Sequence, residues 1–335
     1  MHFPAVFILR AFTTWIFLRI CTKSLFFEQN RRYNNKTKKE KGDGVLSEQN
    51  RNYRKHIVFT SELARTLPPD QPYIEYISFA DWTAGYHQMM HKHADIAEVL
   101  LVLRGHGRYS IGLHRRAVEG GDVILCNCGE PHDEFPTSGE TYQTLCLGIR
   151  RLALPGLAPG ALVASGCDPI FHKPAQFDEL FTLFTMMEAH AGVKTRENQM
   201  FCQNLTLAAL ELVRQMTNSA EQPPAQEEGP LLTRVEHYID AHYAEDISMD
   251  RLGQLFYVSP YHLAHLFKQN TGYTIKQYIL RRRIGEAQSL LYDTKDSIAS
   301  IAAAVGFDDP AYFSRLFAKY VGMPPSEYRL YCAKR

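Results

Sequence analysis

The chain lacks three things: an apolar run long enough to cross a bilayer, a cysteine framework, and an excess of charge of either sign. A membrane-spanning helix needs about 20 predominantly apolar residues. The most apolar stretch, residues 3–20, is interrupted by Arg10 and closed by Arg19. It has no basic segment before it and no Ala-x-Ala-like cleavage site after it, which argues against a secretory signal. The 7 cysteines are an odd number with no Cys-x-x-Cys pair, so neither a disulfide scaffold nor a structural zinc site is expected. A reducing cytoplasm is the expected location, without membrane association. The formal net charge of +1 leaves no bulk basicity with which to hold nucleic acid. That balance is a sum of unlike segments: 12 Lys/Arg against 4 Asp/Glu in residues 1–56, 12 against 21 in 57–229, and 13 against 11 in 230–335. A DNA-binding segment in this chain must therefore act through local placement of charge. Its densest basic cluster is Arg281-Arg282-Arg283, of which at least one is expected to be solvated and idle, since three consecutive helical side chains cannot point one way.

What is present is organised around a repeat. Shifting the sequence by 50 residues lays Pro260 on Pro310, Leu263 on Phe313, Leu266-Phe267 on Leu316-Phe317, Gly272 on Gly322 and Tyr278 on Tyr328. Each copy opens with a capping serine, Ser248 or Ser297, followed by apolar residues at helical spacing: Leu252, Leu255 and Phe256, or Ile298, Ile301 and Val305. A second helix starts at Ser259-Pro260 or Asp309-Pro310 and stops at Gly272 or Gly322. Two short helices with a turn, marked by Gly306 in the second copy, read as helix-turn-helix units, whose second helix can enter a major groove. A helix over Ile275–Tyr292 joins them. At about 27 Å it can hold two recognition helices roughly one DNA turn apart.

The rest of the chain divides by composition. Residues 1–56 read as a disordered or mis-annotated extension, with Val45-Leu46 as an alternative start. Residues 57–155 carry strand patterns, such as Tyr73–Phe79, Glu98–Leu103, Arg108–Ile111 and Asp122–Cys126, separated by glycine turns, which suggests a small β-barrel or jelly roll. Pro155–Pro174 is expected to be loop. Two amphipathic helices lie within 170–218, near 177–190 and 198–216, and Phe201, Leu205 and Leu212 on the second would suit a dimer contact or a plain core. Residues 219–230 form a linker, and 231–335 the repeat domain.

Within the strand region, Gly85-x5-His91-x-His93-x4-Glu98-x6-Gly105 resembles the first motif of the cupin superfamily. Gly121-x5-Asn127-x-Gly129-x2-His132 resembles the second, with Asn127 in place of the usual Pro and Pro136 where the motif ends in Asn. Two apart on a strand, His91 and His93 would point to one side. Three histidines with a carboxylate suit a divalent transition metal, and in catalytic cupins the positions of His91, His93, Glu98 and His132 are the ligands. Cupins recruited as sensors use the same pocket for an organic ligand. No cofactor is implied outright; a divalent metal is the one option raised. Cys126 and Cys128 share a strand face and read as core.

From about Leu231 to Arg335 the chain resembles the DNA-binding domain of the AraC/XylS family of bacterial transcription regulators. The resemblance rests on Ser297, Ile298, Ile301, Val305-Gly306-Phe307, Asp309, Tyr312-Phe313-Ser314-Arg315, Phe317, Lys319, Gly322 and Pro325-Ser326-Glu327-Tyr328-Arg329. The cupin-like domain, two helices and a linker in front are the usual family arrangement. This implies an α+β chain: a cupin-like β-barrel plus helices, then an all-α domain with two helix-turn-helix motifs. It implies DNA-facing residues Tyr261, Ala264, His265 and Lys268 in the first recognition helix. The second would present Asp309, Ala311, Ser314, Arg315 and Lys319. Arg315 is the expected base reader, with an ion pair to Asp308 as its alternative role, and Lys268 and Lys319 the expected phosphate contacts. His265 stands where the family commonly has Arg. Ser248 and Ser297 would present helix N-termini to phosphate or act as caps. The function implied is a non-enzymatic, sequence-specific regulator, an activator, binding double-stranded DNA as a homodimer. A small molecule in the barrel, a sugar being a common class, would control it, and activation would involve RNA polymerase. The alternative is a cupin metalloenzyme with a DNA-binding tail.

Overall fold

The computed structural model describes residues 53–59, 61–82, 88–112, 114–137, 140–219 and 231–333. The expected extension up to residue 52, Gly85 of the first cupin-like motif and the linker from 220 to 230 lie outside the described residues.

Among the described residues ten strands form two antiparallel sheets. One runs in the order β1 (Tyr53–Val58), β2 (Tyr73–Trp82), β9 (Tyr142–Arg150), β4 (Ile96–Arg104), β7 (Val123–Cys126) and β10 (Ile170–Phe171). The other runs β3 (Gln88–His91), β8 (His132–Pro136), β5 (His106–Ile111) and β6 (His114–Glu119). Their inner faces meet in a core of Tyr76, Trp82, Leu100, Val102, Tyr109, Ile111, Val118, Ile124 and Tyr142. The larger sheet is covered on its outer face as well. Helices α2 (Phe177–Ala191) and α3 (Arg196–Ser219) pack against β2, where Gln203 of α3 accepts from Ile74 N at 3.1 Å and donates to Pro72 O at 2.8 Å. Burial on both faces explains why β4 and β9 are apolar almost without a break. The short helix α1 (Ser61–Thr66) follows β1.

Two local readings are corrected. The sheet already begins at Tyr53, because β1 pairs with β2 from Tyr53↔Asp81 onward. The stretch after Pro155 is not all loop: Ile170 and Phe171 pair with Ile124 and Val123 as β10. Asn127, standing where a cupin motif has Pro, holds this stretch to the barrel. Its Oδ1 accepts from Leu162 N (2.7 Å) and Val163 N (3.2 Å), while Nδ2 donates to Val163 O (3.1 Å).

The C-terminal domain contains α4 (Leu231–His242), α5 (Met249–Phe256), α6 (Pro260–Thr271), α7 (Ile275–Asp293), α8 (Ile298–Ala304), α9 (Pro310–Val321) and α10 (Pro325–Ala333). The helix boundaries follow the sequence signals. Ser248, Ser259, Ser297 and Asp309 cap their helices by accepting from Arg251, His262, Ser300 and Ala311 N–H. Gly272 and Gly322 end α6 and α9 at positive φ. Helix α7 opens with a capping box of Thr274 and Gln277. It serves both units: Ile275, Tyr278 and Ile279 belong to the first core, and Ile284, Ala287 and Leu291 to the second. Leu255, expected in the first core, is 44% exposed.

The arginine run is a further correction. None of the three is idle. Arg281 bonds Asp133 at 2.8 and 3.1 Å and lies 4.3 Å over the Phe135 ring. Arg282 is fully buried on Asp240 Oδ1 (2.5 Å) and Met90 O (3.2 Å). Arg283 donates to the carbonyls of Tyr243, Gly306 and Glu245 at 2.5–2.8 Å. Their partners are remote in sequence, so the run looks like surface charge only when read locally.

Candidate functional sites: a barrel pocket and two exposed helices

The barrel pocket forms where β3, β4 and β8 meet. His91 ends β3, His132 begins β8 directly opposite it, and Glu98 lies on β4. His93 lies past the end of β3, so it reaches the pocket from the connection and not by strand alternation. The ring centroids of His91 and His132 are 4.3 Å apart, and those of His91 and His93 5.1 Å. One potential ligand nitrogen from each of the three histidines falls within 4.8 Å of the others. Glu98 Oε2 is 2.9 Å from His132 Nε2, and Oε1 is 3.6 Å from His93 Nε2 and accepts from the Tyr76 hydroxyl. All four expected residues are thus brought together.

The electrostatics follow from burial. Burial pushes His91 well below the usual imidazole range, and its two histidine neighbours push the same way. Burial alone would raise Glu98, but the His132 ring, together with His93 and His91, outweighs it and holds the carboxyl well below its ordinary value. Burial would lower His132, yet the Glu98 carboxylate leaves it raised.

Nitrogen orientation tests whether a metal fits. His91 Nδ1 lies 3.0 Å from Met89 O, and His132 Nδ1 2.9 Å from Glu130 O. A carbonyl can only accept, so each Nδ1 carries a proton and each Nε2 faces the pocket. Backbone carbonyls orient metal-ligating histidines in this way. The His132–Glu98 pair can share a proton, and the same nitrogen and carboxylate oxygen fit a divalent ion that would displace it. The residues therefore fit a transition metal. Cys126, read from sequence as core, is a missed neighbour: its sulfur lies within 4.8 Å of ligand atoms of Glu98 and His132. Burial raises its thiol pKa well above normal, and Tyr109 Oη is 3.3 Å away, so it stays a protonated thiol. The free space among these side chains is about 40 Å³, enough for an ion or a few waters.

The second site is the outer face of α6 and α9. Tyr261, Ala264, His265 and Lys268 are exposed on α6; Asp309, Ala311, Arg315 and Lys319 are exposed at and along α9, with Ser314 half-buried. Two of these are engaged locally, Asp309 as the cap and Ser314 donating to Pro310 O at 2.8 Å. Among the described residues Arg315 makes no ion pair with Asp308; its guanidinium lies 5.9 Å from the Tyr312 ring. Ser248 and Ser297 act as caps. Sequence reasoning missed Tyr257, which is 96% exposed in the turn before α6 and holds a left-handed φ of 54°. Its counterpart in the second unit is Gly306, φ 86°. A one-residue offset between the repeats, a shift of 49 before the turn and 50 after it, hides that correspondence.

The chain matches the models for an AraC-like ligand binding domain over residues 71–232 and for a helix-turn-helix domain over 252–330. It is 30% identical over 245 residues to the arabinose operon regulatory protein of Salmonella typhimurium, covering 69% of this chain and 83% of that protein. It is 26% identical over 245 residues to the HTH-type transcriptional activator RhaR of Klebsiella pneumoniae, covering 71% and 86%. The uncharacterized HTH-type transcriptional regulator YijO of Escherichia coli is 39% identical over 101 residues, a match spanning only 35% of its length. Among solved structures, the DNA-binding domain of AdpA in complex with a target DNA is similar at 28% identity and a TM-score of 0.31, covering 32% of this chain and 97% of that one. A sensor barrel followed by two helix-turn-helix units defines a ligand-responsive class of DNA-binding protein. This chain belongs to the AraC/XylS family of transcription regulators. Among the described residues no helix is long and apolar enough to cross a membrane.

Proposed function

We propose that this protein binds specific double-stranded DNA through α6 and α9, as a homodimer in the cytoplasm, and that occupancy of the barrel site governs that binding. One observation carries the reading: two recognition helices with exposed polar faces flank a single helix of 19 residues, α7, packed against the strand that bears His91. In the second unit Arg315 reads a base edge and Lys319 holds phosphate. In the first, Tyr261 and His265 read, Lys268 holds phosphate, and Ala264 and Ala311 permit close approach to the groove. Half-buried Phe201, Leu205 and Leu212 on α3 leave an apolar stripe that suits a second copy of the chain. The sense of regulation is activation, as in the similar transcriptional activator RhaR, and RNA polymerase is the further partner that activation would require.

His91, His93, Glu98 and His132 would hold a divalent transition metal, which when bound supplies a rigid tie between β3, β4 and β8. This is the ligand that suits the space as it stands; a sugar enters only if the walls part. The chain's own groups orient the site: Met89 O and Glu130 O set the two rings, and Tyr76 holds Glu98. Titration of the full chain with Co²⁺, followed by its visible absorption, tests the assignment. A stoichiometric spectrum lost in His91→Ala supports a metal, whereas an unchanged spectrum in that variant, or none in the parent, refutes it. Retained regulation without metal would leave an organic effector in the same barrel.

A further inference from the structure

Among the described residues strand β3 ends its sheet, with β8 on one side and no strand on the other. Such an edge leaves backbone groups to be satisfied. Here helix α7 takes that place. Gln288 Oε1 accepts from Met89 N at 3.1 Å, and Arg282 Nη1 donates to Met90 O at 3.2 Å. The helix approaches so closely at Gly285 that a Cβ there would stand 1.9 Å from Met90 O. The side chains of β3 continue the engagement. Met89 belongs to the core of the second helix-turn-helix unit and Met90 to the core of the first, both fully buried. The next residue is His91, in the barrel pocket. Around this contact, Arg281 pairs with Asp133 of β8, and Lys92 with Asp240 of α4. A second line joins the same two places: Tyr292 of α7 meets the His56 ring edge-on at 5.9 Å, His56 lies 4.5 Å from the Tyr76 ring, and Tyr76 bonds Glu98.

We propose that β3 is a shared structural element of the barrel site and the DNA-binding domain, with α7 as its edge partner, so that site occupancy and DNA binding are reciprocally linked through the β3–α7 contact. This rests on the proposed effector site. A ligand that fixes His91 fixes the strand whose two methionines complete both helix-turn-helix cores, and so the relative placement of α6 and α9. The reading faces stay exposed while α7 is docked, so the contact sets their geometry without covering them. Reciprocity is required by thermodynamics: whatever factor the ligand applies to DNA affinity, DNA applies to ligand affinity.

The test uses the full-length chain, Co²⁺ as the probe and a duplex enriched by the chain from a random library. Saturating DNA should change the Co²⁺ affinity of the parent by at least about 5-fold, the low end of ordinary allosteric coupling. In Gly285→Ala, and independently in the milder Gln288→Ala, that ratio should fall towards 1 while Co²⁺ still binds the DNA-free protein. Amide hydrogen exchange at Met89 supplies a readout that needs no metal. It should be slow in the parent, faster in both variants, and altered in the parent by adding the duplex. If Co²⁺ does not bind, the metal assignment fails, and the exchange response alone decides the linkage. An unchanged Met89 response to DNA, or a coupling ratio that survives in Gln288→Ala with Met89 exchange raised, overturns the proposal.

Discussion

The two helix-turn-helix units share a skeleton yet are held differently. In each, the recognition helix buries two aromatic or aliphatic residues on α7, Leu263 and Phe267 against Phe313 and Phe317, and stops at a left-handed glycine. The second unit turns at Gly306, whose carbonyl accepts from Arg283 of α7, and the same guanidinium holds the carbonyls of Tyr243 and Glu245 after α4. The first turns at a non-glycine, Tyr257, and is tied by buried charge: Arg282 on Asp240, and Glu236 beneath the Tyr278 hydroxyl at 2.7 Å. A unit closed by backbone hydrogen bonds is indifferent to pH. A unit closed by buried carboxylates is not, so the units differ in how stability responds to conditions as well as in what they read.

Removing the buried tie of the first unit should have the largest effect. Arg282→Ala leaves Asp240 with Lys92 as its remaining partner and Met90 O without its donor, and should cost about 3 kcal/mol in denaturant unfolding. A loss below about 1 kcal/mol would show that the pair does not brace this unit. Glu236→Gln comes next. Burial raises the Glu236 pKa to about 7 in the folded protein, with Asp240 adding to the rise against the Tyr278 bond. A raised carboxyl favours the folded state at low pH, and that stability is lost as pH rises through about 7. Unfolding measured from pH 5 to 8.5 should show the parent weakening by roughly 3 kcal/mol, against a flatter profile for Glu236→Gln. Parallel profiles would refute the assignment.

The reading faces come third. Arg315→Ala should weaken binding by about 1–3 kcal/mol and relax preference at one base pair, while Lys319→Ala weakens all sequences alike. Equal loss on every sequence for both variants would remove Arg315 as a base reader. The smallest effect concerns the turns. Tyr257→Gly should gain up to about 1 kcal/mol by relieving a left-handed side chain. Gly306→Ala should instead lose stability, since its Cβ would stand 2.3 Å from Ala244 O. The same sign for both would mean the two turns are not alternatives of one design.

These units were largely legible in the sequence because their signals are local. Ser248, Ser297, Pro260, Pro310, Gly272 and Gly322 each mark a boundary within one turn of where it acts. The barrel was legible only in part. β4 carries a continuous apolar run and β2 an alternating one, but β6 and β8 hold charged residues and lack such a pattern. The four pocket residues came from motif spacing, and the structure brings them together. What spacing could not show was the purpose of the arginine run or the docking of α7 on β3. Each depends on partners such as Asp133, Asp240 and Met90, remote in sequence from α7, and pattern reading sees no contact of that range. Tyr257 was hidden for a different reason: a tyrosine carries no sequence signal for a left-handed turn.

The most direct measurement of the account is a hydroxyl-radical footprint of the full-length protein on a duplex it selects from a random library. Two protected stretches should appear for each chain, on one face of the DNA and centred about 10 base pairs apart, as successive major grooves require. Arg315→Ala should weaken protection in one stretch and spare the other. A single stretch per chain, or one in which Arg315→Ala fades all protection equally, would contradict two unequal readers on one helix.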